Sequence, residues 1–146
     1  MIKKLIIILI LTTSCKSQNV NSNNNKDKVI WSILFADGFK KSYVDLSLNE
    51  QKIIENGYLD SDESDGVTST WLRITKEKDG YYVSTSQEKT LKSIDLKIDE
   101  ITLSIIYKGV QTKFKIKKND GKFVLISNEG ENRISISQRK SQPVFD

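Results

Sequence analysis

Apolar and polar residues alternate with a period of two from residue 29 onward, and no long stretch shows the 3.6-residue period of an amphipathic helix. In SYVDLSL (42–48), the three aliphatic residues fall on one face of an extended strand, and Tyr43, Asp45 and Ser47 fall on the other. This pattern predicts half-buried β-strands and constrains the chain to an all-β fold.

Turn signals divide this region into short strands. Asp79-Gly80 and Asn119-Asp120-Gly121 stand between alternating runs, as is typical of hairpins. Nine segments are predicted as strands: 29–36, 42–48, 67–75, 81–86, 91–98, 101–108, 110–118, 122–127 and 133–138. They predict an antiparallel β-sandwich of about nine strands, with a partly open β-barrel as the alternative.

Residues 49–58 are ambiguous in this scheme. The stretch NEQKIIENGY offers apolar residues for packing after a turn at Asn49-Glu50, which suits a further extended segment. A short helix is the alternative, because Asn49 is a good N-cap and Gly57 a good C-terminal stop.

The length of 146 residues fits one domain. There are 23 Lys+Arg against 19 Asp+Glu, and without Lys3 and Lys4 the count is 21 against 19. A nucleic-acid-binding domain usually carries a dense basic footprint, so no nucleic-acid partner is expected.

The chain has no histidine and one cysteine, Cys15. Histidine is the commonest general base and zinc ligand, and an intramolecular disulfide or thiolate cluster needs more than one cysteine. We therefore expect no enzyme activity, no catalytic residue, no metal site and no cofactor; an enzyme that uses carboxylates alone, for example on glycans, is the least favoured alternative.

The N-terminus has the pattern of a secretory signal peptide over residues 1–14. Lys3 and Lys4 precede the apolar run LIIILIL (5–11), and small polar residues follow it. The run is too short for a transmembrane helix, which needs about 20 apolar residues.

The segment Thr13-Ser14-Cys15 resembles the lipobox of bacterial lipoproteins. The resemblance implies that Cys15 is acylated with fatty acids such as palmitate and becomes the first residue of the mature protein. Two or more acyl chains anchor a protein stably in a membrane. Lys16 after the cysteine implies the outer membrane of a Gram-negative bacterium, on its periplasmic face, with cell-surface exposure as the alternative.

Residues 15–28 are predicted to form the lipidated cysteine and a disordered tether, because the stretch KSQNVNSNNNKDK (16–28) has a single apolar residue. Thirteen extended residues reach at most about 43 Å. The β-rich domain is then residues 29–146.

Three groups of residues in the domain could contact a ligand. The loop DSDESDG (60–66) offers Asp60, Asp62 and Asp65 to a cation such as Ca²⁺, but it lacks EF-hand spacing, and a solvated loop is favoured.

The second group, here the lysine stripe, is Lys113, Lys115 and Lys117 on one face of a strand. It suits an anionic partner such as lipid headgroups or a polysaccharide, although a plain solvent-facing edge is favoured. The third group consists of the aromatic residues Trp31, Trp71, Tyr81 and Tyr82. They could form a surface on which carbohydrate stacks, but packing in the core or in cross-strand pairs is favoured.

Together these features predict a lipid-anchored envelope protein whose β-sandwich acts as a binding or structural module. A membrane is its first partner, through Cys15, and a protein or a glycan is its second. An inhibitor or immunity-type protein against an envelope-acting enzyme or toxin is the alternative.

Overall fold

Alternating burial along several strands, β2 (Ser42–Leu48) most regularly, determines the layout of the fold. The computed structural model describes residues 28–61, 66–88, 92–96 and 99–144. In the strand Ser42–Leu48, Val44, Leu46 and Leu48 are buried and Tyr43 is exposed, as the alternation predicts. The same pleat places apolar residues on one face of most other strands.

Ten strands lie within the described residues. They are β1 (Lys28–Phe35), β2 (Ser42–Leu48), β3 (Gln51–Leu59), β4 (Trp71–Lys76), β5 (Tyr81–Thr85), β6 (Lys92–Ile94), β7 (Glu100–Tyr107), β8 (Val110–Lys117), β9 (Phe123–Asn128) and β10 (Ile134–Arg139). A single-turn 3₁₀ helix, Lys118–Asp120, connects β8 to β9.

The strands form two sheets, of six strands (order β10-β9-β1-β4-β5-β6) and of four (order β3-β2-β7-β8). Across the described strands the pairing is antiparallel except between β1 and β9, which run parallel. Two stacked sheets confirm the predicted β-sandwich, and neither sheet closes into a barrel within the described part of the chain.

The helix alternative for residues 49–58 is wrong, because this segment forms β3. Asn49 and Glu50 take positive φ values of 44° and 71°, the geometry of a two-residue hairpin turn, so the chain folds straight back from β2 into β3. Ile53 and Ile54 are adjacent and both buried, and the register of β2 against β3 is irregular beside them. Packing of this hairpin against the core outweighs local helix propensity.

Two predicted strands are shorter than the alternation indicated. The segment 67–75 becomes strand only at Trp71, because Thr68 and Thr70 bond to other chain segments: the Thr68 amide donates to the Phe35 carbonyl and the Thr70 hydroxyl to the Tyr58 carbonyl. In the segment 91–98, of which residues 92–96 are described, the three-residue β6 ends at Ile94.

The core lies between the two sheets and contains several large aromatic side chains. Trp31, Phe35, Phe39 and Tyr107 are fully buried. The ring of Phe39 meets those of Phe35 and Tyr107 edge to face, at centroid distances of 5.6 and 5.3 Å. These contacts join the β1–β2 loop and both sheets into one core.

The two ends of the sandwich carry different connections. β1 begins at Lys28 at one end, here called the proximal end, and finishes at Phe35 at the other, the distal end. The pairing places the β1–β2, β3–β4, β7–β8 and β9–β10 connections at the distal end. The β2–β3, β4–β5 and β8–β9 connections lie at the proximal end.

Candidate functional site

Several of the residues predicted from the sequence lie outside the described part of the chain. These are Cys15 with the whole proposed signal peptide and lipobox, and Asp62 and Asp65 of the acidic loop. Among the residues that are described, no helix has the length and hydrophobicity needed to cross a membrane.

Asp60 is described, and its carboxylate is engaged in local hydrogen bonds. One oxygen accepts from the Lys41 amide at 3.2 Å, and the other accepts from the Tyr58 hydroxyl at 3.2 Å. Within the described ranges, no three carboxylate or cysteine side chains cluster as a metal ion would require. The contacts give Asp60 a role in joining the β1–β2 loop to the end of β3.

The four aromatic residues considered as a carbohydrate surface do not share a face. Trp31 is fully buried between the sheets, and Tyr81 packs against the same core. Trp71 and Tyr82 are half-buried on the outer face of the six-stranded sheet, because each alternates with a buried neighbour. The favoured interpretation, core and cross-strand packing, therefore describes Trp31 and Tyr81.

The lysine stripe lies where the alternation predicted, on the outer face of β8, and Ile116 points into the core. Lys115 forms an ion pair of 3.0 Å with Glu100 on β7. The hydrogen bond from Lys115, and then its positive charge, lower the pKa of the Glu100 carboxyl. Lys113 and Lys117 make no ion pair with any described residue.

An exposed apolar group occupies the distal end of the four-stranded sheet. Tyr43, Tyr58 and Ile106 are 60%, 43% and 40% exposed, and they are three of the five large apolar side chains that the described residues leave exposed. We call these three residues the apolar corner. A fourth, Val110, begins the neighbouring strand β8 at the same end.

Strand register brings the apolar corner together. Tyr43 on β2 stands opposite Tyr58 on β3, and their rings meet at a centroid distance of 5.5 Å with an interplanar angle of 61°. On the other side of β2, Asp45 stands opposite Ile106 on β7. The corner therefore spans three adjacent strands of the outer face.

Polar groups surround the apolar corner and fix its shape. The backbone amide of Asn56 donates to the Asp45 carboxylate at 2.8 Å, and this hydrogen bond holds the irregular part of β3 against β2. Partial desolvation, and then the hydrogen bond to Asp60, raise the pKa of the Tyr58 hydroxyl, so this hydroxyl stays protonated and a donor. A shallow cavity of about 160 Å³ opens between Tyr43 and Ile106.

A larger cavity of about 680 Å³ lies at the same end, between the β1–β2 loop and the segment that follows β3. Ser61 holds these two segments together: its hydroxyl donates to the Ala36 carbonyl at 2.8 Å and accepts from the Phe39 amide at 3.0 Å. The lining of this cavity includes Lys40, Lys41 and Asp60. Apolar corner and cavity together give the distal end both an apolar and a charged surface.

Comparison with known proteins gives no relative from which to infer the site. No protein-family model, no curated protein and no solved structure matches this chain. The functional assignment therefore depends on the surface of the domain and on the N-terminal sequence.

Proposed function

We propose that this protein is a lipid-anchored, non-enzymatic binding module of the bacterial envelope, and that it binds a partner protein through the apolar corner. The observation that carries the proposal is the grouping of Tyr43, Tyr58 and Ile106 on one face at the distal end. Exposed apolar patches on soluble domains mark interaction surfaces, and tyrosine is enriched at protein interfaces.

The geometry of the apolar corner favours a protein over a glycan. The two tyrosine rings meet edge to face rather than lying side by side as one flat platform. The third member, Ile106, is an aliphatic side chain without a π face, and it suits an apolar side chain of a partner better than a sugar ring. Hydrogen-bonding groups of Asp45 and Asp60 at the margin resemble the polar rim of such interfaces.

The anchoring part of the proposal is supported by the N-terminal sequence. Cys15 is the acyl acceptor, and Lys16 after it favours the outer membrane, with the domain in the periplasm. The tether would run from the anchored Cys15 to the domain and join it at Lys28, at the proximal end. The apolar corner would then face away from the membrane.

Replacement of Cys15 tests the anchor. Cys15→Ala should move the protein from the membrane fraction to the soluble fraction of the envelope, because no other group in the chain is proposed to carry lipid. Intact-mass measurement of the wild-type protein should show a chain that begins at residue 15 and carries acyl chains. A Cys15→Ala protein that stays with the membrane would refute the anchor.

Photo-crosslinking tests the apolar corner. A photoreactive amino acid in place of Tyr43 should give a discrete crosslinked protein in living cells, and Ile106→Asp in the same chain should abolish it. The control position is Tyr82, half-buried on the outer face of the other sheet. Equal crosslinking at both positions, or none at Tyr43, would contradict the binding surface. An adduct with an envelope hydrolase or toxin would specify the inhibitor alternative.

A further inference from the structure

Positive charge is concentrated at the proximal end of the six-stranded sheet. Five adjacent strands carry an exposed cation at or beside the terminus that lies at this end. We call these six residues the basic end: Arg139 and Lys140 at β10, Lys122 at β9, Lys28 at β1, Lys76 at β4, and Lys78 in the turn to β5.

The distal end of the same sheet carries a nearly balanced charge. Two of its described cations are ion-paired, Lys92 with Glu88 at 2.6 Å and Arg133 with Glu129 at 3.5 Å, and two more, Lys40 and Lys41, are exposed in the β1–β2 loop. Asp37 is exposed at this end without a cation partner among the described residues. The charge of the six-stranded sheet is therefore polarised along its strands.

The cations of the basic end are available to an external partner. None of the six forms an ion pair with a described residue. The described carboxylates at this end of the sheet are Glu77, Asp79 and Asp95, fewer than the six cations, and Asp79 already accepts a hydrogen bond of 2.7 Å from the Tyr82 hydroxyl.

The proximal end of the neighbouring four-stranded sheet has nearly balanced charge, so it changes the positive charge of the basic end little. Lys117 and Lys118 extend the basic end next to β10, where the Gln138 side chain donates to the Lys117 carbonyl at 2.9 Å. Asp99 and Asp120 offset them, and Glu100 offsets Lys115 through the ion pair described above. The surplus of positive charge stays on the six-stranded sheet.

The position of this surface relative to the rest of the chain indicates its partner. The 27 residues that precede Lys28, including Cys15, join the domain at the basic end. We propose that the basic end rests on anionic phospholipid headgroups of the leaflet that holds the Cys15 acyl chains. This inference builds on the proposed anchor and adds a second, electrostatic contact with the same membrane.

The chemistry of the basic end suits a lipid surface. Its cations are spread over five strand termini, and none of them lines a cavity found in the described part of the chain. A dispersed group of lysines and arginines is attracted to an anionic leaflet by about 1 kcal/mol per charge, which corresponds to about fivefold in affinity for each. Such attraction is screened by salt.

The contact would orient the whole domain. The predicted tether before β1, residues 16–27, would let the domain move up to about 40 Å from the bilayer and rotate relative to it. With the basic end on the headgroups, the sandwich stands on the membrane with its strands directed away from it. The apolar corner is then held at the far side, toward the partner.

Vesicle binding by the mature chain without lipid tests the inference. Residues 15–146 with Cys15→Ser should cosediment with vesicles of phosphatidylglycerol and phosphatidylcholine at low salt, and not with phosphatidylcholine alone. Reversal of three charges, Lys76→Glu, Lys122→Glu and Lys140→Glu, should weaken binding at least tenfold, given about fivefold per cation. Half-molar salt should do the same.

The matched control reverses three exposed lysines at the distal end, Lys40→Glu, Lys41→Glu and Lys108→Glu, with the same change in net charge. It should bind within about threefold of the parent. Equal weakening by both triple variants, or no binding of the parent to anionic vesicles, would overturn the inference. Neither result bears on the anchor, which membrane fractionation of Cys15→Ala tests separately, and circular dichroism confirms that each variant is folded.

Discussion

The two sheets of the sandwich share one alternating pattern but differ in what they leave in contact with water. On the outer face of the six-stranded sheet, Leu125 is only 7% exposed, and the Arg73 guanidinium lies 5.8 Å from the Trp71 ring and covers it. On the outer face of the four-stranded sheet, Tyr43 is 60% exposed. Apolar surface is covered on one sheet and left open on the other.

The sheets differ in assembly as well. The four-stranded sheet consists of two hairpins, β2–β3 and β7–β8, joined side by side through β2 and β7. The six-stranded sheet places β1 between β4 and β9, which are distant along the chain. The larger sheet therefore depends on pairing between segments distant in sequence, whereas the smaller sheet carries the surface proposed above for binding.

Truncation of one isoleucine in each sheet gives the largest expected difference. Ile33 is fully buried on β1. Ile33→Ala should lower the free energy of unfolding by about 2–5 kcal/mol, because the change leaves a cavity. Ile106→Ala, on the exposed face of β7, should cost less than about 1 kcal/mol and still impair crosslinking at the apolar corner. Urea denaturation measures both, and equal losses would contradict the contrast.

Replacement of one glycine at each sheet should give a smaller difference. Gly38 has φ of 85°, and an added methyl would collide with the Asn128 carbonyl oxygen of β9. Gly109, in the β7–β8 turn, has φ of 78° and open space around it. Gly109→Ala should cost about 1 kcal/mol from backbone strain alone.

Gly38→Ala should cost at least twice that amount, because it adds a steric collision to a similar strain and also displaces the Asn128 side chain from the Gly38 carbonyl. Thermal unfolding of the two variants provides the comparison. Equal melting temperatures would show that the β1–β2 loop is not held against β9 in solution.

The smallest expected effect concerns pH and the four-stranded sheet. Lys115 lowers the pKa of Glu100 in the folded state, so the pair stabilises the protein above the ordinary glutamate value of 4.5, and this stability is lost as the pH falls through the lowered pKa. Glu100→Gln should therefore unfold at slightly lower urea than wild type at neutral pH, and the difference should vanish in acid.

The control for this titration is Glu131→Gln, at an exposed glutamate in the β9–β10 turn that makes no ion pair with a described residue. It should unfold as wild type does at both pH values. A pH-independent difference for Glu100→Gln would show that the ion pair does not contribute, as is common for exposed pairs.

Much of the fold could be predicted because its signals are local. Period-2 alternation predicted the positions of β2 and β8 almost to the residue, and the turns at Asp79-Gly80 and Asn119-Asp120-Gly121 separate strands as predicted. Only the first turn closes a hairpin, because β8 and β9 lie in different sheets. The parallel pairing of β1 with β9 could not be predicted, because it joins segments about 90 positions apart with no turn between them.

Less of the candidate site could be predicted from the sequence. Tyr43 was predicted to face outward, but its partner Tyr58 lies in β3, the segment that the sequence left ambiguous between strand and helix. For Trp31 the favoured interpretation, core packing, is confirmed: it stands inside the apolar run VIWSILF and is fully buried. Three exposed residues on three strands become one surface only when the register is known.

The central position of β1 has a consequence for the order of events during biosynthesis. The strand β1 has its parallel partner in β9, which ends at Asn128, so the six-stranded sheet cannot be completed until this late part of the chain is available. Folds dominated by such distant pairings form slowly. If Cys15 is acylated at the membrane as proposed, this delay keeps the exported chain unfolded while its N-terminus is processed. A chain cut short before residue 123 would leave one edge of β1 unpaired and open to aggregation.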